Sequence, residues 1–282
     1  MKVVPISKEN HRKWSYTGLT SYIHTKKDSI VPIVMAEIGR VILTTPIVFL
    51  DQETKGLELY SLQGLMPETN LMINTAGQWL TEYIPARYRA LPFVLASDSD
   101  RTIGDDKILC YFDDVKCVGK SFKTKSTKIF DKKGELSEDM KKVFDFLSSI
   151  EQNELVTKTA LKTIKKADVL EDWTIELKLA DGERKMTGLK KVNMEKLKAL
   201  SAETLLDLNK SGGLDICFAA HLSLHNIQKL RNLVVAQVKN VETKKQNDTT
   251  KSLREVTLEK QKKAQKEEMD ILVKDLLLDD EK

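Results

Sequence analysis

The sequence predicts an α+β fold, and three observations carry that expectation. Short β-patterned runs separated by turn residues fill the first half. In the second half the apolar period lengthens to that of helices. Among those helices, one clean alternation broken at Asp181-Gly182 reads as a hairpin. The expected architecture is a curved antiparallel sheet from the N-terminal half, packed by helices and a β-hairpin from the C-terminal half, with a charged C-terminal tail. Residues 1–240 form the α+β domain on this reading, and residues 241–282 form the tail.

Each element has its own signal. Residues 1–29 are polar and irregular, with Trp14, Tyr16 and Tyr22 as anchors onto the body. Ile30 to Val34 reads as a strand, Ala36 to Leu43 as one or two helical turns, and Pro46 to Leu50 as a buried strand. Its proline stands at the first position, where a missing N–H costs little. Leu57 to Leu65, Asn70 to Ile73, Pro92 to Ser97 and Lys107 to Phe112 complete the strand-rich half. Helices are expected over Ser137 to Leu155, with Ser137 and Asp139 as capping residues, and over Thr157 to Ala167. Trp173 to Leu179 and Arg184 to Leu189 pair across Asp181-Gly182. Asn193 and Ser201 each cap a following helix, Ser211-Gly212-Gly213 stops the second, and Asp215 to Val238 makes the last.

Composition excludes several classes. The 282 residues hold 46 Lys and Arg against 42 Asp and Glu, and the signs are interspersed, so no nucleic-acid partner is expected. No apolar run reaches the roughly 20 residues that span a bilayer. The stretch from Ile30 to Leu50 is interrupted by Pro32, Glu37, Arg40 and Pro46. The N-terminus lacks an apolar core followed by a small-residue cleavage site, and Cys110, Cys117 and Cys217 match no C-x-x-C spacing. Free, buried thiols and a cytoplasmic location are the expectation. Beyond Asn240 the chain is almost all charge and amide until Ile271, Leu272, Leu276 and Leu277. On its own such a tail is expected to be a disordered linker ending in a marginal amphipathic helix; a helix that forms on a partner protein or on a second copy is the sharper alternative.

The stretch around which the chain is organised reads NLMINTAGQWLTEYIPARYRALPF, from Asn70 to Phe93. It concentrates Trp79, Tyr83, Tyr88 and Phe93 around Arg87 and Arg89, the composition of a densely packed knot. The order N-x-x-x-N-x-x-G-x-W, then Y-I-P-A, then R-x-x-P-F, resembles the central motif of the bacterial SapC family. Pro46-Ile47-Val48-Phe49 with Glu37 before it, Ile129-Phe130-Asp131 with Gly134, and a C-terminal block from Gly188 to Leu224 are similar to the same family in the same order. Where that family often has two adjacent arginines before P-F, this chain has Arg89 followed by Ala90. The tail has no counterpart. The family is named for a surface-layer-associated protein, so the resemblance implies a binding or accessory role in the handling of surface proteins.

Guanidinium groups bind carboxylate or phosphate in two-pronged fashion and stack on rings. Arg87 or Arg89, in a cleft walled by Trp79, Tyr83 and Tyr88, would therefore hold an anionic small molecule or a peptide. Glu37 and Glu82 are the candidate acidic partners. The plainer reading, and the one the residues favour, is that one arginine pairs with such a carboxylate and only braces the fold; in an enzymatic alternative, Glu37 or Glu82 serves as acid or base. His221 and His225 are four apart, but the Glu of H-E-x-x-H is missing. The carboxylates Asp98, Asp100, Asp105, Asp106, Asp113 and Asp114 do not follow calcium-loop spacing. With no G-x-S-x-G, phosphate loop or dinucleotide fingerprint, the sequence assigns no catalytic residue, metal or cofactor.

Overall fold

A computed structural model describes residues 2–97, 107–122, 125–179 and 182–237, together with Glu259. The chain forms two compact units, Met1–Arg231 and Asn232–Lys282. Of the second, only the helical residues 232–237 and Glu259 fall within the described residues.

The first unit begins with β1 (Val3–Pro5), α1 (Lys8–His11), β2 (Ser15–Tyr16) and β3 (Ile30–Pro32). A 3-10 turn at Met35–Glu37 runs into α2 (Ile38–Val41), and β4 (Ile47–Gln52) and β5 (Gly56–Leu62) make the first hairpin. Next come α3 (Ala86–Ala90), β6 (Phe93–Ser97), β7 (Lys107–Phe112), β8 (Val118–Gly119) and β9 (Thr127–Lys128). The second half supplies α4 (Glu138–Ala167), β10 (Leu170–Leu179), β11 (Gly182–Val192), α5 (Met194–Lys198), α6 (Ala202–Ser211) and α7 (Gly213–Ser223).

Among the described residues three antiparallel sheets form, in the orders β1-β7-β6, β10-β11-β4-β5-β3 and β8-β2-β9. The α+β class therefore holds. The second-half hairpin joins the five-stranded sheet edge to edge, with Lys190 of β11 opposite Phe49 of β4. Its turn residue Asp181 lies outside the described residues, as do Asp98, Asp100, Asp105 and Asp106.

Residues 1–29 are not wholly irregular, since β1, α1 and β2 fall within them; three further departures each have a local reason. Asn70 to Ile73 is not a strand; only Ile73 bridges to Trp79. The Asn70 side chain takes up the Met72 N–H that a ladder would need, and Asn74 turns the chain straight after Ile73 by accepting from Ala76 N and Gln78 N. The two helices expected between Ser137 and Ala167 are one helix of 30 residues, α4. No proline or glycine interrupts that span, so nothing ends it before Asp168, whose φ of 49° is left-handed. The single helix expected from Asp215 instead gives way to a 3-10 turn at Leu224–Asn226. There Ser223 Oγ accepts from Ile47 N at 2.7 Å and Asn226 Nδ2 donates to Ile42 O at 2.8 Å, tying the turn to β4 and the end of α2.

The serine and asparagine caps match their signals, whereas Asp139 lies inside the first turn of α4 and does not cap it. Ser137 accepts from Met140 N, Asn193 from Glu195 N and Lys196 N, and Ser201 from Thr204 N. Helix α4 serves two apolar clusters. Its first half sends Met140, Leu147 and Ile150 against Phe93, Tyr111 and Ile129. Its second half sends Ala160, Leu161 and Ile164 against Phe49, Leu59 and Ile216. Thr157 stands between them, buried, accepting from Met35 N at 2.8 Å.

Candidate functional site

The organising stretch works from its first residue. Buried Asn70 donates from Nδ2 to Thr25 O at 3.1 Å and accepts from Met72 N at 2.9 Å, pinning the polar N-terminal segment to the body. Asn74 Oδ1 accepts from Ala76 N and Gln78 N, closing the turn that Gly77 completes at φ 79°. A Cβ on Gly77 would lie 2.0 Å from Ser21 Oγ, so glycine is required both for its backbone and for the approach of the neighbouring segment. Trp79 Nε1 donates to Thr81 Oγ1 at 2.7 Å and Tyr83 O at 2.8 Å. Its half-buried ring stands edge-on between Tyr22, at 5.7 Å, and Tyr88, at 5.6 Å.

Tyr83 and Arg89 belong to a second group centred on Glu37. The buried Glu37 carboxyl accepts three hydrogen bonds, from Val34 N at 3.1 Å, Tyr83 Oη at 2.8 Å and Ala86 N at 2.6 Å. It thereby closes its own 3-10 turn and the start of α3 together. Arg89 reaches the same phenol from the other side, Nη2 to Oη at 3.2 Å, and Nε donates to Ile84 O at 3.0 Å. Its guanidinium lies over the rings of Tyr83 and Phe146, 5.4 and 5.0 Å from their centroids. Burial first, and then the Glu37 carboxyl, push the Tyr83 phenol up to about 12, against the opposing pull of Arg89. Arg89 therefore reaches Glu37 through a tyrosine. Glu82 is exposed.

Arg87 points elsewhere, pairing with Glu154 of α4. Together with Tyr88 it lines a cavity of about 610 Å³, within the range of small-ligand sites. Ile30, Val31 and Pro32 of β3 form one wall, and Phe93, Val94 and Leu95 of β6 another. Leu147 and Ile150 line it from α4, where Glu151 and Glu154 add carboxylates. Glu151 pairs with Lys107 at 2.6 Å. Asp28, half-buried, accepts from Tyr88 Oη at 3.1 Å. Burial raises its pKa above the ordinary carboxylate value, and it raises that of the Tyr88 phenol too.

Of the residues singled out in the sequence, Arg87 and Tyr88 line the cavity, whereas Trp79, Tyr83, Arg89 and Glu37 are outside its lining and make their contacts with α3 and the turn before it. Sequence reasoning missed Asp28, Glu151 and Glu154. They lie at remote positions in chain segments whose patterns announce only a polar turn and a helix surface.

The other candidates resolve simply. His221 and His225 are exposed, and α7 ends between them, so they do not share a face of one α-helix. Among the described residues no group of three or more His, Cys, Asp or Glu is placed to hold a metal ion. Cys110, Cys117 and Cys217 are free and buried; burial pushes the Cys117 thiol up to about 11 and that of Cys217 up to about 12. Among the described residues no helix is long and apolar enough to cross a membrane.

The fold and the site together define an α+β protein with a ligand-sized cleft between the edges of two antiparallel sheets. A family model described as SapC matches residues 6–230, and the chain belongs to that family. No curated protein and no solved structure matches it.

Proposed function

We propose that this SapC-family chain is a non-enzymatic binding or accessory protein whose ligand seats in the cleft beside Arg87 and Tyr88. The cavity between β3 and β6, lined along one side by α4, is the observation that carries this reading. The motif residues support it indirectly. Glu37, Tyr83 and Arg89 are engaged with one another and with backbone groups, so their role is to hold the cleft wall. The buried thiols are held protonated, the opposite of an activated nucleophile. Arg87 already has Glu154 as its partner, and three carboxylates accompany it in the lining. A polypeptide is therefore favoured over a small anion. The family's link with bacterial surface layers makes surface proteins the first partners to try.

Thermal-shift screening of the full chain against pools of small carboxylates, phosphates and random peptides tests the assignment. Leu91→Trp, a substitution at a half-buried lining position, fills the cleft. Ligands that raise Tm in the wild type and not in Leu91→Trp are the expected result. A screen in which no pool separates the two proteins overturns it.

A further inference from the structure

Resting on the assignment of the cleft as the ligand site, we infer that its occupant is an extended polypeptide segment that pairs with the outer edge of β6 as an added strand and brings a lysine or arginine side chain to Asp28.

The backbone register gives the first reason. In an antiparallel ladder alternate residues turn their N–H and C=O groups toward the same neighbour. Pro92 O accepts from Phe112 N, and Val94 lies opposite Cys110, so Pro92 and Val94 face β7. Ile6 N donates to Leu109 O, so Leu109 faces β1 on the far side of β7, in keeping with that alternation. Phe93 and Leu95 therefore turn their N–H and C=O groups outward, on the side where β6 is the last strand of its sheet among the described residues. Both residues line the cavity.

The opposite wall is also a sheet edge, but a guarded one. Ser29 O accepts from Gln63 N and Ile33 N donates to Leu59 O, so Ile30 and Pro32 face away from β5. Pro32 has no N–H to offer, a common way of blunting an edge. Strand β6 carries no proline beyond Pro92 at its approach, and offers two donors and two acceptors in succession. An extended chain is the ligand that satisfies such a row, since main-chain hydrogen bonds supply affinity and side-chain pockets supply selectivity.

Charge selects the side chain. Arg87 neutralises Glu154 and Lys107 neutralises Glu151. Asp28 is left with a neutral phenol as its side-chain partner, and His24 is the nearby titratable group of its own segment. A cation reaching Asp28 completes a charge-assisted pair, whereas an acidic side chain there meets the carboxylate of this cavity that has a phenol rather than a cation as its hydrogen-bond partner.

The test uses a bead-displayed library of heptapeptides randomised at every position, incubated with the labelled full chain. Retained sequences are expected to carry Lys or Arg at one fixed position and to be released by Asp28→Asn. Leu95→Pro removes an outward donor without touching the β6–β7 ladder, and is expected to abolish retention. As a check independent of folding, a retained peptide resynthesised with N-methyl groups on alternate residues should bind at least about tenfold more weakly, equivalent to about 1.4 kcal/mol. Retained peptides rich in Asp or Glu, binding indifferent to N-methylation, or an empty selection each overturn the strand pairing. If the selection is empty while thermal shift still separates wild type from Leu91→Trp, the cleft assignment stands without the peptide. If retained peptides bind Leu91→Trp equally well, both readings fall.

Discussion

Tyr83 donates its phenolic proton to Glu37 at 2.8 Å across 46 positions of sequence, and Arg89 approaches the same oxygen from the other side. That relationship joins the turn before α2 to the turn before α3. Removing the acceptor orphans three donors at once. Glu37→Ala is expected to cost about 3 kcal/mol, the scale of leaving buried donors unmet, whereas Tyr83→Phe should cost about 1 kcal/mol. Urea unfolding checks both, and a loss in Glu37→Ala no larger than in Tyr83→Phe would contradict the bridging role.

Alkaline pH should attack the same knot. The Tyr83 phenol is held up to about 12, above its unfolded value near 10. A raised phenol contributes stability that is complete below pH ~10 and is lost as the pH climbs through its folded pKa. Tyr16 and Tyr60 are raised to about 12 as well, so wild-type stability should decline steeply above pH ~10. Denaturation midpoints measured from pH 8 to 11.5 should fall less steeply in Tyr83→Phe than in wild type.

Two glycines of similar backbone conformation should respond differently to alanine. Gly77 and Gly188 have φ of 79° and 81°, but an added Cβ meets Ser21 Oγ at 2.0 Å in the first and open space in the second. Gly188→Ala should cost about 1 kcal/mol, the left-handed backbone penalty alone. Gly77→Ala should lose clearly more and loosen residues 21–23. Chemical denaturation combined with limited proteolysis of the N-terminal segment measures both effects.

Asp28 should be a position where the fold gains by losing its charge. Burial raises its pKa, so the ionised form burdens the folded state above that pKa, and the burden lifts as pH falls through it. Asp28→Asn keeps an acceptor for Tyr88 and should melt higher than wild type at pH 7, the difference closing below pH ~4. A lower Tm at pH 7 would show the carboxylate to be structural.

Arg87→Ala should leave the fold nearly intact. The Arg87 and Glu154 side chains are 47% and 27% exposed, and a pair so open to solvent is worth less than about 1 kcal/mol. Altered ligand response in the thermal-shift screen without a change in urea midpoint would place Arg87 at the ligand.

Local chemistry was the most legible part of this chain. Ser137, Asn193 and Ser201 announced their helices because a cap is a contact within four residues. The β10–β11 hairpin showed through its alternation. Asn70 to Ile73 was misread because an apolar run bounded by asparagines has the look of a strand, and only the folded chain shows those amides replacing the ladder. The site was half legible. Aromatic and arginine density marked Tyr88 and Arg87, but the carboxylates opposite them arrive on β3's approach and on α4, through pairings that leave no trace in spacing.

Helix α4 has one further consequence. Its early turns belong to the apolar cluster around Phe93 and its late turns to the one around Phe49. The cavity residues Leu147, Ile150, Glu151 and Glu154 run from the last contacts of the first cluster toward Thr157, beyond which the second begins. A molecule resting there presses on the shared spar of both halves. Occupancy of this small groove should therefore be felt across the first unit, as a sharper and later single melting step, with no separate hinge needed to carry the message.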